Sequence, residues 1–477
     1  MKKHFKYASL LLALAIPMPI MVSCGDDDPV TPEAGTDSIT PNTPDKGEAM
    51  SAAKQKEYLE SVALEFMDLM PSSDFMDIAD LGQYISDTYA DDYDWDAVED
   101  WGKDLFDASK EALGFQTSET ETHKWGDYTY KYNYFYTHYK AVILASNFTG
   151  HFTARNGRWS LSKADDLQFI FKDMSGKECI VKLETGGTVK KVYAFNEDDW
   201  KDYEWGWTDD QNYVSNDYYD RIQYTIGVPE KIVVTLTQGG NQVVKTTINV
   251  DMSNLTDERF DISKNSLSLT AVTEINNGYK FDVSQMAYTA NSKASAIYTM
   301  SKNGRNLISA AISSDISGIP SCNVDAFTSD DMDDYDTDDV NARNAFVKLD
   351  ILGKVQMQGV LSDVRKFVDY LNKADDNDRN EATFKSYVNQ ANDLTDVNLF
   401  YDGKSTKQAT VKLEAFMEET WNGQTWWTTE PVIYFNDGSS YSTFEAFFNE
   451  TDFKKVIDAF KALSDKYADL IDEHVDW

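Results

Sequence analysis

Between residues 122 and 316 the apolar residues stop following a helical spacing and begin to alternate. Tyr128, Tyr130, Tyr132, Tyr134, Tyr136 and His138 lie on one side of an extended run, with Thr129, Lys131, Asn133 and Phe135 on the other. A period of two belongs to a strand with one face buried or bound. Similar runs recur at Leu167–Lys172, Ile180–Leu183, Val189–Phe195, Lys231–Leu236, Val243–Val250, Leu267–Val272, Tyr279–Val283, Ala296–Met300 and Leu307–Ile312. They are punctuated by Asn156-Gly157, Ser175-Gly176, Gly186-Gly187, Gly239-Gly240, Asn277-Gly278 and Asn303-Gly304. Such dipeptides accept the positive φ of tight hairpin turns. The chain is therefore constrained to an antiparallel meander through its middle. No βαβ alternation is visible, so doubly wound and TIM-barrel folds are not expected.

The flanks read differently. Leu59, Val62, Ala63, Phe66, Met67 and Met70 form a helical stripe, broken at Pro71. Ile78, Leu81, Tyr84, Ile85 and Tyr89 form a second. Val98, Trp101, Leu105, Phe106, Ala112 and Leu113 form a third, with Gly114 as its expected C-cap. Near the other end, Val360–Leu371 and Phe384–Val388 suggest helices, and strands return at Val397–Tyr401, Ala409–Met417 and Trp426–Phe435. A long helix is expected from Phe453 to Ile471. The fold class is α+β: large curved antiparallel β-sheet meanders with an N-terminal helical segment and packed C-terminal helices. The expected organisation is a signal peptide at 1–23, a lipidated flexible tether at 24–50 and a helical segment at 51–122. A β region with an aromatic and acidic insertion follows at 123–225. A second β meander with an acidic loop occupies 226–358, and a mixed region fills 359–477.

The first residues carry an address. Lysines at Lys2 and Lys3 precede an apolar run from Leu11 to Val22, too short for a finished transmembrane helix. Met21-Val22-Ser23-Cys24 resembles a bacterial lipoprotein cleavage box, with methionine where leucine is usual. Gly25-Asp26-Asp27-Asp28 resembles the acidic export signal of Bacteroides-group surface lipoproteins, and Asp37-Ser38-Ile39 matches that group's short O-glycosylation pattern. The resemblance covers about the first 40 residues. It implies that Cys24 carries the lipid and that Asp26, Asp27 and Asp28 direct the protein outward. The expected location is the outer membrane, held by lipid and facing the exterior.

Composition narrows the partners. A formal net charge of -37 disfavours nucleic acid and anionic lipid surfaces, which recruit basic patches. Only Cys179 and Cys322 follow Cys24, so neither a disulfide scaffold nor a cysteine-based zinc site is expected. Glu178-Cys179-Ile180-Val181 makes Cys179 a buried small hydrophobe. There is no His-x-x-x-His pair, nucleophile elbow or phosphate-binding loop.

Four groups of residues could carry function. Trp200, Trp205 and Trp207, near Asp209 and Asp210, could stack on sugar rings while carboxylates take hydroxyls; Trp421, Trp426 and Trp427, near Glu418 and Glu419, are a second such set. Packing at sheet edges explains the same aromatics. The tyrosine ladder 128–136 could line a groove or pair across strands. Acidic clusters at 91–96, 330–339 and 375–381 could hold calcium, with Asp376, Asp378 and Asn380 as alternating donors, or could be solvated loops. Paired carboxylates at about 5–5.5 or 6.5–9.5 Å would suit a glycoside hydrolase. With 81 acidic residues, spacing selects no pair. The expectation is a noncatalytic surface lipoprotein with a binding or structural role, its ligand a polysaccharide or an outer-membrane protein. A lipid or amphiphile carrier and a carboxylate-dependent glycosidase are the alternatives. No cofactor is expected beyond structural calcium.

Overall fold

The computed structural model describes residues 48–71, 73–91, 93–209, 211–261, 263–317, 343–419, 425–435, 437, 442–443 and 454. Cys24, Asp26, Asp27, Asp28, Asp210, Cys322, Trp421, the acidic run 323–340 and nearly all of the expected C-terminal helix lie outside them. The fold is mixed α+β, with a large open, mainly antiparallel sheet and helical segments near each end of the chain. Two compact units divide the described residues: 48–83 with 263–317 and 343–454, and 84–261. Among the described residues no helix is long and apolar enough to cross a membrane.

The first unit is a meander of ten strands. They are β9 (Leu267–Ile275), β10 (Tyr279–Thr289), β11 (Lys293–Lys302), β12 (Arg305–Asp315), β13 (Asn344–Ile351), β14 (Val355–Leu361), β15 (Thr395–Tyr401), β16 (Ala409–Glu419), β17 (Thr425–Phe435) and β18 (Ser442–Thr443). Each pairs antiparallel with the next. Helices α4 (Val364–Asp375) and α5 (Glu381–Asn392) interrupt the meander between β14 and β15. Val360 and Leu361, expected in the first helix, belong to β14 instead; α4 starts at Val364 with Asp363 as N-cap to Lys366, and Asn380 caps Thr383 at the start of α5.

Helix α1 (Ala52–Leu69) packs on this meander, and helix α2 (Ser73–Ile85) follows it. The α1 stripe buries Val62 against Val355 and Tyr401, while Phe66 and Leu69 meet Tyr279, Met300 and Leu307. A buried glutamine locks the start of α1. Gln55 Nε2 donates to the carbonyls of Met50 and Gln408, and its Oε1 accepts from Tyr401 Oη. Every polar atom of that side chain is used, which is the condition for burying an amide at no net loss.

The turns explain why the hairpins close here. Asn303-Gly304, Leu352-Gly353 and Asp402-Gly403 each place two residues at positive φ, from +49° to +79°. Asn and Asp tolerate that region, but Leu352 costs about 1–2 kcal/mol there. Its side chain meets two core clusters, those of Val62 and of Tyr279, and this packing offsets the strain.

The second unit holds α3 (Asp96–Ser109) and the strands β1 (Lys110–Trp125), β2 (Tyr128–Leu144), β3 (Gly150–Arg155), β4 (Arg158–Ser162), β5 (Leu167–Lys172), β6 (Glu178–Asp209), β7 (Asn212–Gln238) and β8 (Asn241–Asp251). Its spatial order is β4-β3-β5-β6-β7. Beyond β7, its first half is flanked by β2 then β1, and its second half by β8. Tyr89, Tyr93, Trp95, Trp159, Phe169 and Phe171 pack as one aromatic core, and Trp101 meets Phe148 and Phe152. Cys179 is a buried free thiol whose pKa burial pushes up.

Several local expectations are corrected. The third helical stripe ends early: α3 stops at Ser109, and Ala112 and Leu113 belong to β1. Gly114, at φ +75°, sits in an irregularity of the β1–β2 ladder rather than capping a helix. Backbone pairing with β2 outweighs the local apolar spacing. Gly186-Gly187 is a bulge within β6, not a turn. The aromatic and acidic insertion expected within 123–225 does not interrupt the strands, since β6 and β7 run through it as one long hairpin. The meander is also not purely antiparallel, because β2 pairs parallel with β7 and β3 with β5.

Candidate aromatic binding face

The distal halves of β6 and β7, with β2 and β1, form a four-stranded ribbon in the order β6-β7-β2-β1. Side chains in register share a face. Trp207, Tyr213, Tyr130 and His123 make one row; Trp205, Ser215, Tyr132 and Glu121 make the next. Tyr203, Asp217, Tyr134 and Glu119 follow, then Trp200, Tyr219, Tyr136 and Thr117. The tryptophans of the 200–207 segment and the tyrosine ladder, two separate candidates in the sequence, thus stand on a single surface.

The rings touch in series. Trp207 lies 5.9 Å from Tyr130 and 5.5 Å from Tyr213, and Trp205 lies 6.1 Å from Tyr213. Tyr213 also meets Tyr132, and Tyr219 meets Tyr134 and Tyr136. These spacings are those of edge-to-face and offset aromatic pairs. The β2 and β7 tyrosines are mostly half-buried and form a floor, whereas Trp200, Tyr203, Trp205 and Trp207 are 50–60% exposed. Trp125, at the β1–β2 tip, is 79% exposed on the same side.

Two devices keep the tryptophans in phase. Trp200 and Tyr203 are three residues apart and would face opposite ways on a regular strand. A bulge between Trp200 and Asp202 inserts Lys201 and restores them to one face. Lys201 Nζ reaches Asp199 at 2.6 Å and Asp220 at 3.2 Å, tying the bulge to the neighbouring strand. At the tip, Asp209 accepts from the backbone N–H of Gln211 and Asn212 and from Asn212 Nδ2. The Asn212 and Gln211 donors hold its carboxyl below the usual range. Asp209, expected near a sugar site, instead shapes the turn.

Charge on this face is mainly negative. Arg221 lies 3.8 Å above the Tyr136 ring, but Asp198 takes its guanidinium through two bonds of 2.7 and 2.6 Å. Glu119 approaches the same cation at 3.6 Å, and Glu121 approaches His123 at 3.5 Å. Burial, then the charges of Glu121 and Asp217, push the Tyr134 phenol up. The opposite face carries a polar ladder, in which Thr120 Oγ1 donates to Asn133 Oδ1 and Asn133 Nδ2 donates to Asn216 Oδ1, beside the stacked rings of Phe135 and Tyr218.

The other expected sites fare differently. Trp426 lies under the Arg379 guanidinium at 4.3 Å, and Trp427 lies under Lys385 Nζ at 4.7 Å. Trp427 also packs against the cluster of Ala374, Phe384 and Val388. Both rings are engaged with the α4–α5 layer. Asp376 closes α4, Asn380 spends its Oδ1 on Thr383 N–H, and the Asp378 carbonyl accepts from Trp427 N–H. These residues line a hollow of about 400 Å³. Among the described residues no group of three or more His, Cys, Asp or Glu side chains is placed to hold a metal. Asp375, beside them, is pushed upward by burial and then by Asp378 and Asp376.

Sequence reasoning did not single out Asp217, Glu119 or Glu121. Their parity within β1 and β7 was visible, but the partner strands that bring them together were not. No protein-family model, no curated protein and no solved structure was found to match this chain.

Proposed function

We propose that this protein is a noncatalytic surface lipoprotein that binds glycans on the aromatic face of its β6-β7-β2-β1 ribbon. One observation carries the reading: Trp200, Tyr203, Trp205 and Trp207 stand exposed beside a floor of tyrosines on the same side of one sheet. Flat rings present π faces to the axial C–H groups of a pyranose, and neighbouring carboxylates and phenols accept or donate to its hydroxyls. A preformed sheet surface loses little entropy on binding an extended chain.

The test is affinity electrophoresis and calorimetry against a panel of polysaccharides. Trp205→Ala and Trp207→Ala, each still folded by near-UV circular dichroism, are expected to weaken binding by roughly tenfold or more apiece, about 1.4 kcal/mol. Unchanged binding to every glycan that the parent retains would remove the site. The anchor is tested separately. Cys24→Ala is expected to abolish fatty-acid labelling and membrane retention, and persistent labelling would overturn it.

A further inference from the structure

The aromatic face has a carboxylate at its centre. Asp217 is flanked across the ladders by Tyr134 and Tyr203, and along its own strand by Ser215 and Tyr219 on the same side. It accepts one long bond, 3.3 Å, from Ser215 Oγ, and no cationic side chain pairs with it among the described residues. Glu119, in the same row, and Glu121, in the next row, stand on β1, two strands away across β2. The one guanidinium on this surface, Arg221, is already taken by Asp198. Aromatic faces attract cations through the ring quadrupole, and a carboxylate between such rings adds Coulomb attraction in the same place.

We propose that the ligand of this face is a glycan bearing free amino groups, with an ammonium seated over Asp217 between Tyr134 and Tyr203. This rests on the glycan reading above. Charge complementarity selects the class. A neutral glycan gains ring stacking and hydroxyl hydrogen bonds but no ion pair, and a uronate or sulfated chain meets Asp217, Glu119 and Glu121 with like charge. An amino sugar adds an ion pair to both.

The experiment uses the mature-length protein and three oligosaccharides of equal length: β-linked glucosamine, its N-acetylated counterpart and β-linked glucose. Binding is measured by calorimetry at a pH that protonates the free amine, at low and high salt, alongside an oligolysine peptide. The glucosamine chain is expected to bind roughly tenfold tighter than the other two, a margin typical of one cation–π and ion-pair contact. Salt should erase that margin. Asp217→Asn should erase it too, by weakening the glucosamine chain far more than the other two, and Glu121→Gln should reduce it in part. Equal binding of all three sugars, untouched by Asp217→Asn, overturns the amino-sugar assignment and leaves glycan binding standing. Failure of every sugar overturns both. Asp217-dependent binding of oligolysine with no sugar bound also overturns the proposal, and reassigns the face to a basic peptide.

Discussion

Asp166 shows how single residues hold this molecule together. Its carboxylate accepts from Gln168 Nε2 at 2.8 Å, pairs with His151 Nε2 at 2.7 Å and lies 3.5 Å from Lys182 Nζ. The Gln168 bond first, then His151, lower its pKa to about 2. A carboxyl depressed in the folded state stabilises above its unfolded pKa and loses that contribution as pH falls through the folded value. The window is therefore from about 4 down to about 2. Asp166→Asn is expected to flatten the fall in melting temperature across that window, with little change near neutrality in its slope. A variant with the same acid limb as the parent would count against it. Gln55 is the buried counterpart. Gln55→Ala strands the Tyr401 hydroxyl and two carbonyls, and is expected to cost about 2–4 kcal/mol in urea unfolding.

At the scale of elements, the aromatic ribbon depends on its bulge and its tip. Asp209 supplies three acceptor contacts to the β6–β7 turn from an exposed position. Asp209→Ala is expected to raise hydrogen exchange at the tip, near Trp207 and Tyr213, by about tenfold or more. The global stability loss should stay near 1 kcal/mol, because the core of the unit lies elsewhere. Exchange unchanged at the tip would show that strand pairing alone sets the turn. Much of this element was legible beforehand. The tyrosine alternation named β2 and its faces, and Trp200, Trp205 and Trp207 were singled out for their chemistry. Their union with the ladder was not legible. It rests on a parallel pairing between β2 and β7, strands some 80 residues apart, and long-range register leaves no local signal.

At the scale of the whole molecule, the chain divides into two compact units, and the second is a single continuous stretch, 84–261, among the described residues. Each has its own core: Val62, Tyr279, Met300 and Tyr401 in the first, and Phe152, Trp159, Ile222 and Tyr224 in the second. Calorimetry is expected to resolve two transitions. Gln55→Ala should lower one of them. Phe152→Ala, which removes a fully buried ring worth about 3–5 kcal/mol, should lower the other. A single transition moved by both would mean that the units unfold as one.

Local chemistry was sufficient for the class of fold: turn dipeptides such as Asn303-Gly304, the period-two runs and the caps at Asp363 and Asn380 all act within a few residues. It failed where distant strands compete for the same backbone. Ala112 and Leu113 left a helical stripe for β1, and the expected aromatic and acidic insertion became one hairpin, because hydrogen bonding to a neighbouring strand outweighs propensity. The candidate site lies on that same boundary. Residue type and parity marked the tryptophans and tyrosines, but only tertiary pairing placed Asp217 among them, since the field at a carboxylate is set by what lies across the sheet and not by what lies beside it in the chain.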